Sequence, residues 1–224
     1  MMTETTPDLR ALSREWAVLH VQRGQIREHT YRGRAWQTAI YKHPAEGPVE
    51  INRYGLVGDE QTGAAPDLDR AVSFHSATHY SFWRGYFRRE IPIGFFGENL
   101  TVAGLADEDI CVGDVVRVGT ALLQITQPRT PCYKQARKMG EPKFVKLLLQ
   151  TGRLGFLARV LEPGELETGS RIELLERPCP QANLIFVNRK LYDTDDRESA
   201  RELAELVPLA HDWRAKFAEI AARA

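Results

Sequence analysis

Between residues 17 and 177 the apolar residues come in brief runs, each soon cut short by glycine, proline or acidic turn residues. Segments 17–21, 38–41, 49–51, 70–74, 98–102, 115–118, 121–126, 155–161 and 171–175 read as strands, with Gly113-Asp114 and Gly119-Thr120 marking turns between them. Many short strands with few helices between them argue against regular strand–helix alternation. They predict a mostly-β domain built as a barrel with a few peripheral helices. Ser76 is placed to cap one such helix, running to about Arg89, whose Tyr80, Trp83, Tyr86 and Phe87 recur at helical spacing and read as core packing. Residues 143–150 form another short helix, stopped by Thr151-Gly152.

Pro178-Cys179-Pro180 ends the strand pattern, and the chain beyond it has helical periodicity. Short helices are expected over 181–188, over 198–206 after Asp195 or Asp196 as cap, and over 212–222 with Trp213, Phe217 and Ile220 on one face. Three helices this short bury too little to stand alone, so they must dock on the barrel or meet a partner. Another short helix is expected over 7–16. The expected division is therefore an extension over 1–16, a barrel over 17–177 and a three-helix extension over 178–224.

Composition removes several function classes. Lys plus Arg and Asp plus Glu are 30 each, so no net field gathers nucleic acid or anionic lipid. No apolar run is long enough to span a bilayer, and MMTETTPDLR lacks the basic and apolar stretches of a secretory leader. Cys111, Cys132 and Cys179 are odd in number and far apart, a poor framework for disulfides or structural zinc, so a reducing cytoplasm is expected. There is no P-loop, no GxGxxG after a strand, no GxSxG and no EF-hand.

The stretch QITQPRTPCYK, residues 124–134, carries the most chemistry. Cys132 comes after a strand in a loop whose two prolines restrict the backbone, with Arg129 before it and Lys134, Arg137 and Lys138 after. Neighbouring cations favour a thiolate, the form that attacks or binds a soft metal, and Arg129 suits an anionic ligand because its planar fork donates two hydrogen bonds at once. The competing reading is a buried small apolar side chain among solvated charges. Cys111, ringed by acids in DEDICVGD, and Cys179, between prolines, read as structural. In FFGENLTVAGL, residues 95–105, Gly97 permits an unusual backbone angle, and Asn99 either presents a donor and an acceptor to a ligand edge or closes a turn on its own backbone. GLVGDEQT, residues 55–62, brings Asp59 and Gln61 into a turn. His75 and His79 share a helical spacing that suits zinc, but lacking a third ligand nearby they read as solvated or core-capping.

Taken in order, GLVGDEQ, DRAVSFHSATHYSFW, FGENLTVAGL, VGDVVRVG and LLQITQPRTPCYK resemble the MOSC-domain proteins of the YiiM type, over residues 17–177, and the tail resembles that subgroup's small three-helix extension. The resemblance implies a strand-rich MOSC-type barrel with a pocket for molybdenum cofactor (molybdopterin), in which the cysteine at position 132 coordinates molybdenum and N-hydroxylated compounds such as hydroxylaminopurines are reduced. It further implies that Arg129, Thr130, Lys134 and Arg70 help hold the anionic pterin, with Asn99 meeting the cofactor or shaping its loop. At the level of the whole family it also brings an association with pyridoxal phosphate. Electrons are then expected from a separate reductase, since the chain has neither a ferredoxin-like cysteine cluster nor a flavin or nicotinamide fingerprint. Protons are expected from solvent, Glu98 or Asp59. The alternative is a non-catalytic carrier of the cofactor or of sulfur, and oligomeric state stays open. One departure stands out: where such proteins commonly have His-Gly-Gly-Pro-Asp, this chain has Ala64-Ala65-Pro66-Asp67-Leu68-Asp69 before Arg70.

Overall fold

Val18 and Val21 of Ala17–Arg23 (β1) are both buried although three residues apart, because a register shift between Val18 and His20 resets the alternation of side chains. A computed structural model describes residues 9–61 and 66–223. After β1 come Arg27–Tyr31 (β2), Arg34–Thr38 (β3), His43–Pro44 (β4), Val49–Asn52 (β5), Gly55–Leu56 (β6), Val72–Ser76 (β7), Leu100–Ala103 (β8), Val115–Val118 (β9), Ala121–Pro128 (β10), Phe156–Glu162 (β11), Gly164–Leu166 (β12) and Ile172–Glu176 (β13). The helices are Leu9–Leu12 (α1), Ala77–Phe87 (α2), Tyr133–Met139 (α3), Phe144–Thr151 (α4), Leu184–Lys190 (α5), Arg197–Glu205 (α6) and His211–Ala221 (α7).

Eight strands form one curled sheet in the order β13-β9-β10-β11-β7-β8-β1-β4, a half-barrel of the expected mostly-β kind. The ends of the curl approach one another at a bridge between Ala17 and Arg171, where Val18 N–H donates to the Ser170 carbonyl at 2.9 Å. Every pairing is antiparallel except β7 with β8. A parallel pair needs a crossover of a dozen residues or more, which is why a long helix interrupts a strand-rich sequence here: α2 and the loop after it carry the chain from β7 to β8. Ser76 caps α2 as expected, accepting from Thr78 N. β5, β6 and β12 make a separate three-stranded sheet, and β2 with β3 a hairpin.

Val18, Ile51, Phe74, Val102, Ile125 and Phe156 belong to one buried cluster. Leu184, Val187, Leu203, Trp213, Phe217 and Ile220 belong to the same cluster, so the C-terminal helices dock on the sheet. A second cluster beneath α2, α3 and α4 holds Tyr80, Trp83, Phe96, Phe144 and Leu148. Of the α2 aromatics read as core, Tyr80 and Trp83 are buried, whereas Tyr86 is 55% exposed.

Several expectations are corrected. Residues 39–41 are not strand: the hairpin ends at Thr38, and Ala39 and Ile40 are buried outside it. Arg70 closes a 3-10 turn, Leu68–Arg70, instead of opening β7. Tyr133–Met139, to which the sequence reading gives no element, is helical. The N-terminal helix covers only Leu9–Leu12 among the described residues; Pro7 and Asp8 lie outside them, as do Thr62 to Ala65, on which part of the sequence departure falls. No helix among the described residues is long and apolar enough to cross a membrane.

Candidate functional site

β10 pairs with β11 as far as Pro128 opposite Phe156, and Arg129 N–H adds one more rung to the Gly155 carbonyl at 2.9 Å. The chain then leaves the sheet through Thr130-Pro131 and enters α3 with Cys132 as the extended residue before the first turn (φ −128°, ψ 159°). Gln135 links the cysteine backbone to the loop before β8. Its Oε1 accepts from Cys132 N at 3.1 Å, and its Nε2 donates to the Phe96 carbonyl at 3.3 Å. The position of the thiol is therefore tied to the loop that carries Gly97.

Cys132 is half-buried and opens onto a cleft of about 220 Å³, whose wall includes Lys42, Arg70, Asn99, Arg129 and Lys134. Five of the six residues singled out in the sequence thus meet at one place. Thr130 is exposed and does not line the cleft. The five differ in what they have left to offer. Arg70 is ion-paired to Asp67 at 3.0 Å and to Asp212 of α7 at 2.7 Å. Asn99 is internally engaged: Oδ1 accepts from Ser73 N–H and Oγ at 3.1 and 2.8 Å, and Nδ2 donates to Asp59 Oδ2 at 2.8 Å. It shapes the loop and presents no spare edge. Arg129 donates through Nη2 to the Gly97 carbonyl at 3.1 Å, while its Nη1 is buried with no hydrogen-bond partner among the described residues. Burial pulls its guanidinium below the ordinary arginine value, and its electrostatic interactions with Glu98 and then Cys132 oppose the shift.

Neither carboxylate expected to supply protons lines the cleft. Asp59 accepts from Gly24 N at 2.6 Å and from Lys42 Nζ, whose side chain is only 7% exposed. Burial lowers the Lys42 pKa, and Asp59 opposes the shift. Glu98 is fully buried, its Oε1 accepting from Thr101 Oγ1 at 2.8 Å, from Gly94 N at 3.2 Å and from Tyr80 OH. Glu60 lines the cleft instead, on its exposed side. A further cation, Lys138, passed over in the sequence beyond its position near Cys132, reaches behind the site to the Gly94 and Ile40 carbonyls at 2.8 and 3.1 Å. Burial lowers it to about 8, with Glu98 opposing and Arg129 and Lys42 adding to the fall.

Gly97 has φ +74°, and a Cβ there would lie 2.5 Å from Ile40 Cγ1. Gly97→Ala is therefore expected to cost about 1–3 kcal/mol of stability and to push Ile40 into the cleft. A urea midpoint equal to that of the parent would show that the backbone absorbs the methyl group.

His75 and His79 are buried, with rings 4.9 Å apart edge to face, so they are core residues and not solvated. Among the described residues no group of three His, Cys, Asp or Glu is arranged to hold a metal ion. Cys111 and Cys179 are buried free thiols. Burial, then Asp114, pushes Cys111 up to about 11, which suits a structural role.

A curled strand-rich sheet that delivers a cysteine from a strand end into a cation-lined cleft defines the class: the chain belongs to the MOSC domain family, whose model matches residues 46–173. The particular relatives narrow it. The chain is 38% identical to YflK of Bacillus subtilis over 90% of its own length and 93% of that protein. The crystal structure of YiiM from Geobacillus stearothermophilus superposes with a TM-score of 0.80 at 30% identity, covering 92% of this chain and all of that one. A Gibberella moniliformis protein named reductase is 35% identical over 77% of this chain, which spans only 31% of that relative. The YiiM-type resemblance read from the motifs is thus shown for both sequence and fold.

Proposed function

We propose that this chain binds molybdenum cofactor and reduces N-hydroxylated compounds, with Cys132 as a thiolate ligand of the metal. One observation carries the reading: a half-buried cysteine opens onto the same cleft as Arg129, whose buried Nη1 has no acceptor among the described residues. A buried donor left unpaired is costly, and an anionic group entering the cleft would relieve that cost. The donor set fits the group too. Cys132 offers soft sulfur for molybdenum, and Arg129 and Lys134 line the wall where phosphate oxygens would lie.

When bound, the cofactor would supply two-electron redox chemistry at the metal. The net reaction is R–NHOH plus two electrons and two protons giving R–NH₂ and water, the electrons coming from a separate reductase. Cys132 would anchor the metal, while Gln135 holds the cysteine backbone and so fixes where sulfur points. Arg129 would orient the anionic end. Glu60 at the rim is the carboxyl group placed to pass protons from water, since Asp59 and Glu98 are committed inside the protein. That the Gibberella relative is named a reductase supports the reaction class.

Purified chain, loaded with cofactor and given an artificial electron donor, should convert an N-hydroxylated heteroaromatic amine to the amine. Full metal content without substrate consumption would overturn the proposal in favour of a carrier. Arg129→Ala should weaken cofactor retention roughly 10- to 100-fold, the worth of a hydrogen bond to a charged partner. Pterin fluorescence after gel filtration reads this directly, and unchanged retention would place that arginine outside the contact.

A further inference from the structure

We infer that a second cavity, of about 650 Å³ and walled by α2, the loop of residues 104–109, the end of α4 and α5, binds a small organic anion carrying a carboxylate or phosphate group. Its volume falls in the ~300–1,000 Å³ range of small-molecule sites, and none of its lining residues is shared with the Cys132 cleft.

The wall carries unspent polar groups. Asn188 is 7% exposed and lines the cavity, yet its side-chain amide meets no partner among the described residues. His79, also on the wall, is 3% exposed, and its Nδ1 is sealed from solvent, so the ring closes the cavity floor and offers no ligand contact. An amide that keeps its accessibility only at a cavity wall, with no protein group bonded to it, is free for a ligand there. Two arginines give that ligand its charge. Arg153 is held in place, with its guanidinium 3.9 Å from the Phe82 ring centroid and Nη1 donating to the Thr151 carbonyl at 3.2 Å, which leaves further N–H groups for a ligand. Arg189 is exposed at the mouth of the cavity and makes no ion pair among the described residues. Two guanidinium forks beside an amide match the planar oxygens of a carboxylate or phosphate.

Two acids share the cavity and set the ligand's direction. Asp109 Oδ2 accepts from Ala106 N at 2.9 Å, and Glu108 is exposed on the same loop. Their repulsion drives an anionic head towards Arg153 and Asn188, leaving the side chains of Leu105, Leu149 and Ile185 for the apolar part. This site is independent of the chemistry proposed for Cys132.

Calorimetric titration of the full chain with inorganic phosphate, and separately with succinate, tests the assignment. At least one probe should bind at a single site. Asn188→Asp, an isosteric change that adds a like charge, and Arg189→Ala, a change on the cavity wall, should each weaken it by about tenfold or more. Arg129→Ala, in the other cleft, should leave that affinity unchanged. Whichever probe binds names the head group. Neither probe binding, both wall variants binding like the parent, or loss of binding in Arg129→Ala would each overturn the inference.

Discussion

Cys132→Ser is expected to abolish turnover of the cofactor-loaded protein while leaving the fold intact. Serine matches cysteine in shape, and the side chain at this position is half-buried at a helix start, outside both apolar clusters. The backbone contact to Gln135 Oε1 survives the change, because it uses the Cys132 amide and not its sulfur. Serine's hydroxyl is a harder and poorer ligand for molybdenum than a thiolate. The loss should exceed the ~10- to 100-fold that removal of an outer-shell partner costs a metal site. Two measurements separate the cases: X-ray absorption should lose the protein-derived sulfur scatterer, and the urea midpoint should stay with the parent. Turnover retained in a folded variant would remove Cys132 from the metal's coordination sphere.

The second large effect concerns stability. His79 Nε2 and Asp107 Oδ2 lie 3.4 Å apart, with side chains 4% and 2% exposed. Burial pulls His79 down from 6.5 to about 2, with His75 and Arg153 adding to the fall. Burial pushes Asp107 up from 3.8 to about 7, opposed by the Gly155 and Leu154 amides and assisted by Glu108. Between pH 3.8 and 6.5 the unfolded pair holds one proton, on histidine, and the folded pair also holds one, so the pair contributes no slope to stability in that window. Removing one partner uncovers the other. In Asp107→Asn the remaining histidine binds fewer protons folded than unfolded, so stability rises with pH from about 2 towards 6.5. In His79→Phe the remaining acid binds more protons folded, so stability falls as pH rises from 3.8 to about 7. Each slope approaches about 1.4 kcal/mol per pH unit relative to the parent. Urea unfolding at several pH values across the window gives both slopes, and parallel profiles for parent and variants would mean the two groups do not titrate as described.

What local chemistry dictates is legible in the sequence. Val115–Val118 lies between Gly113-Asp114 and Gly119-Thr120, and its bounds can be read directly. Ser76 announces α2 because a hydroxyl accepting from Thr78 N is a contact within three residues. α3 stays hidden because cysteine is not a common helix cap, and the residue that stabilises its start, Gln135, works partly through Phe96, 39 positions away. Residues 39–41 look like strand because they are apolar, but Ile40 is drawn into the packing against Gly97, a contact across the fold. The site obeys the same division. Cys132, Arg129 and Lys134 can be found because they are close in sequence, whereas the partners that engage Arg70 and Asn99 come from remote segments and no spacing reveals them. The larger cavity by α5 escapes a sequence reading for that reason: its walls come from four separated stretches.

One consequence of the docked tail concerns Arg70. Its guanidinium sits on the wall of the Cys132 cleft, yet one of its two counter-ions, Asp212, is contributed by the last helix, and the neighbouring Asp69 carboxylate accepts from the His211 amide at 3.0 Å. The helical tail is thus an electrical component of the cleft as well as a cover for apolar surface. It mutes a positive charge that would otherwise face whatever enters, so sequence drift or truncation at the far end of the chain would retune the pocket without touching a residue inside it.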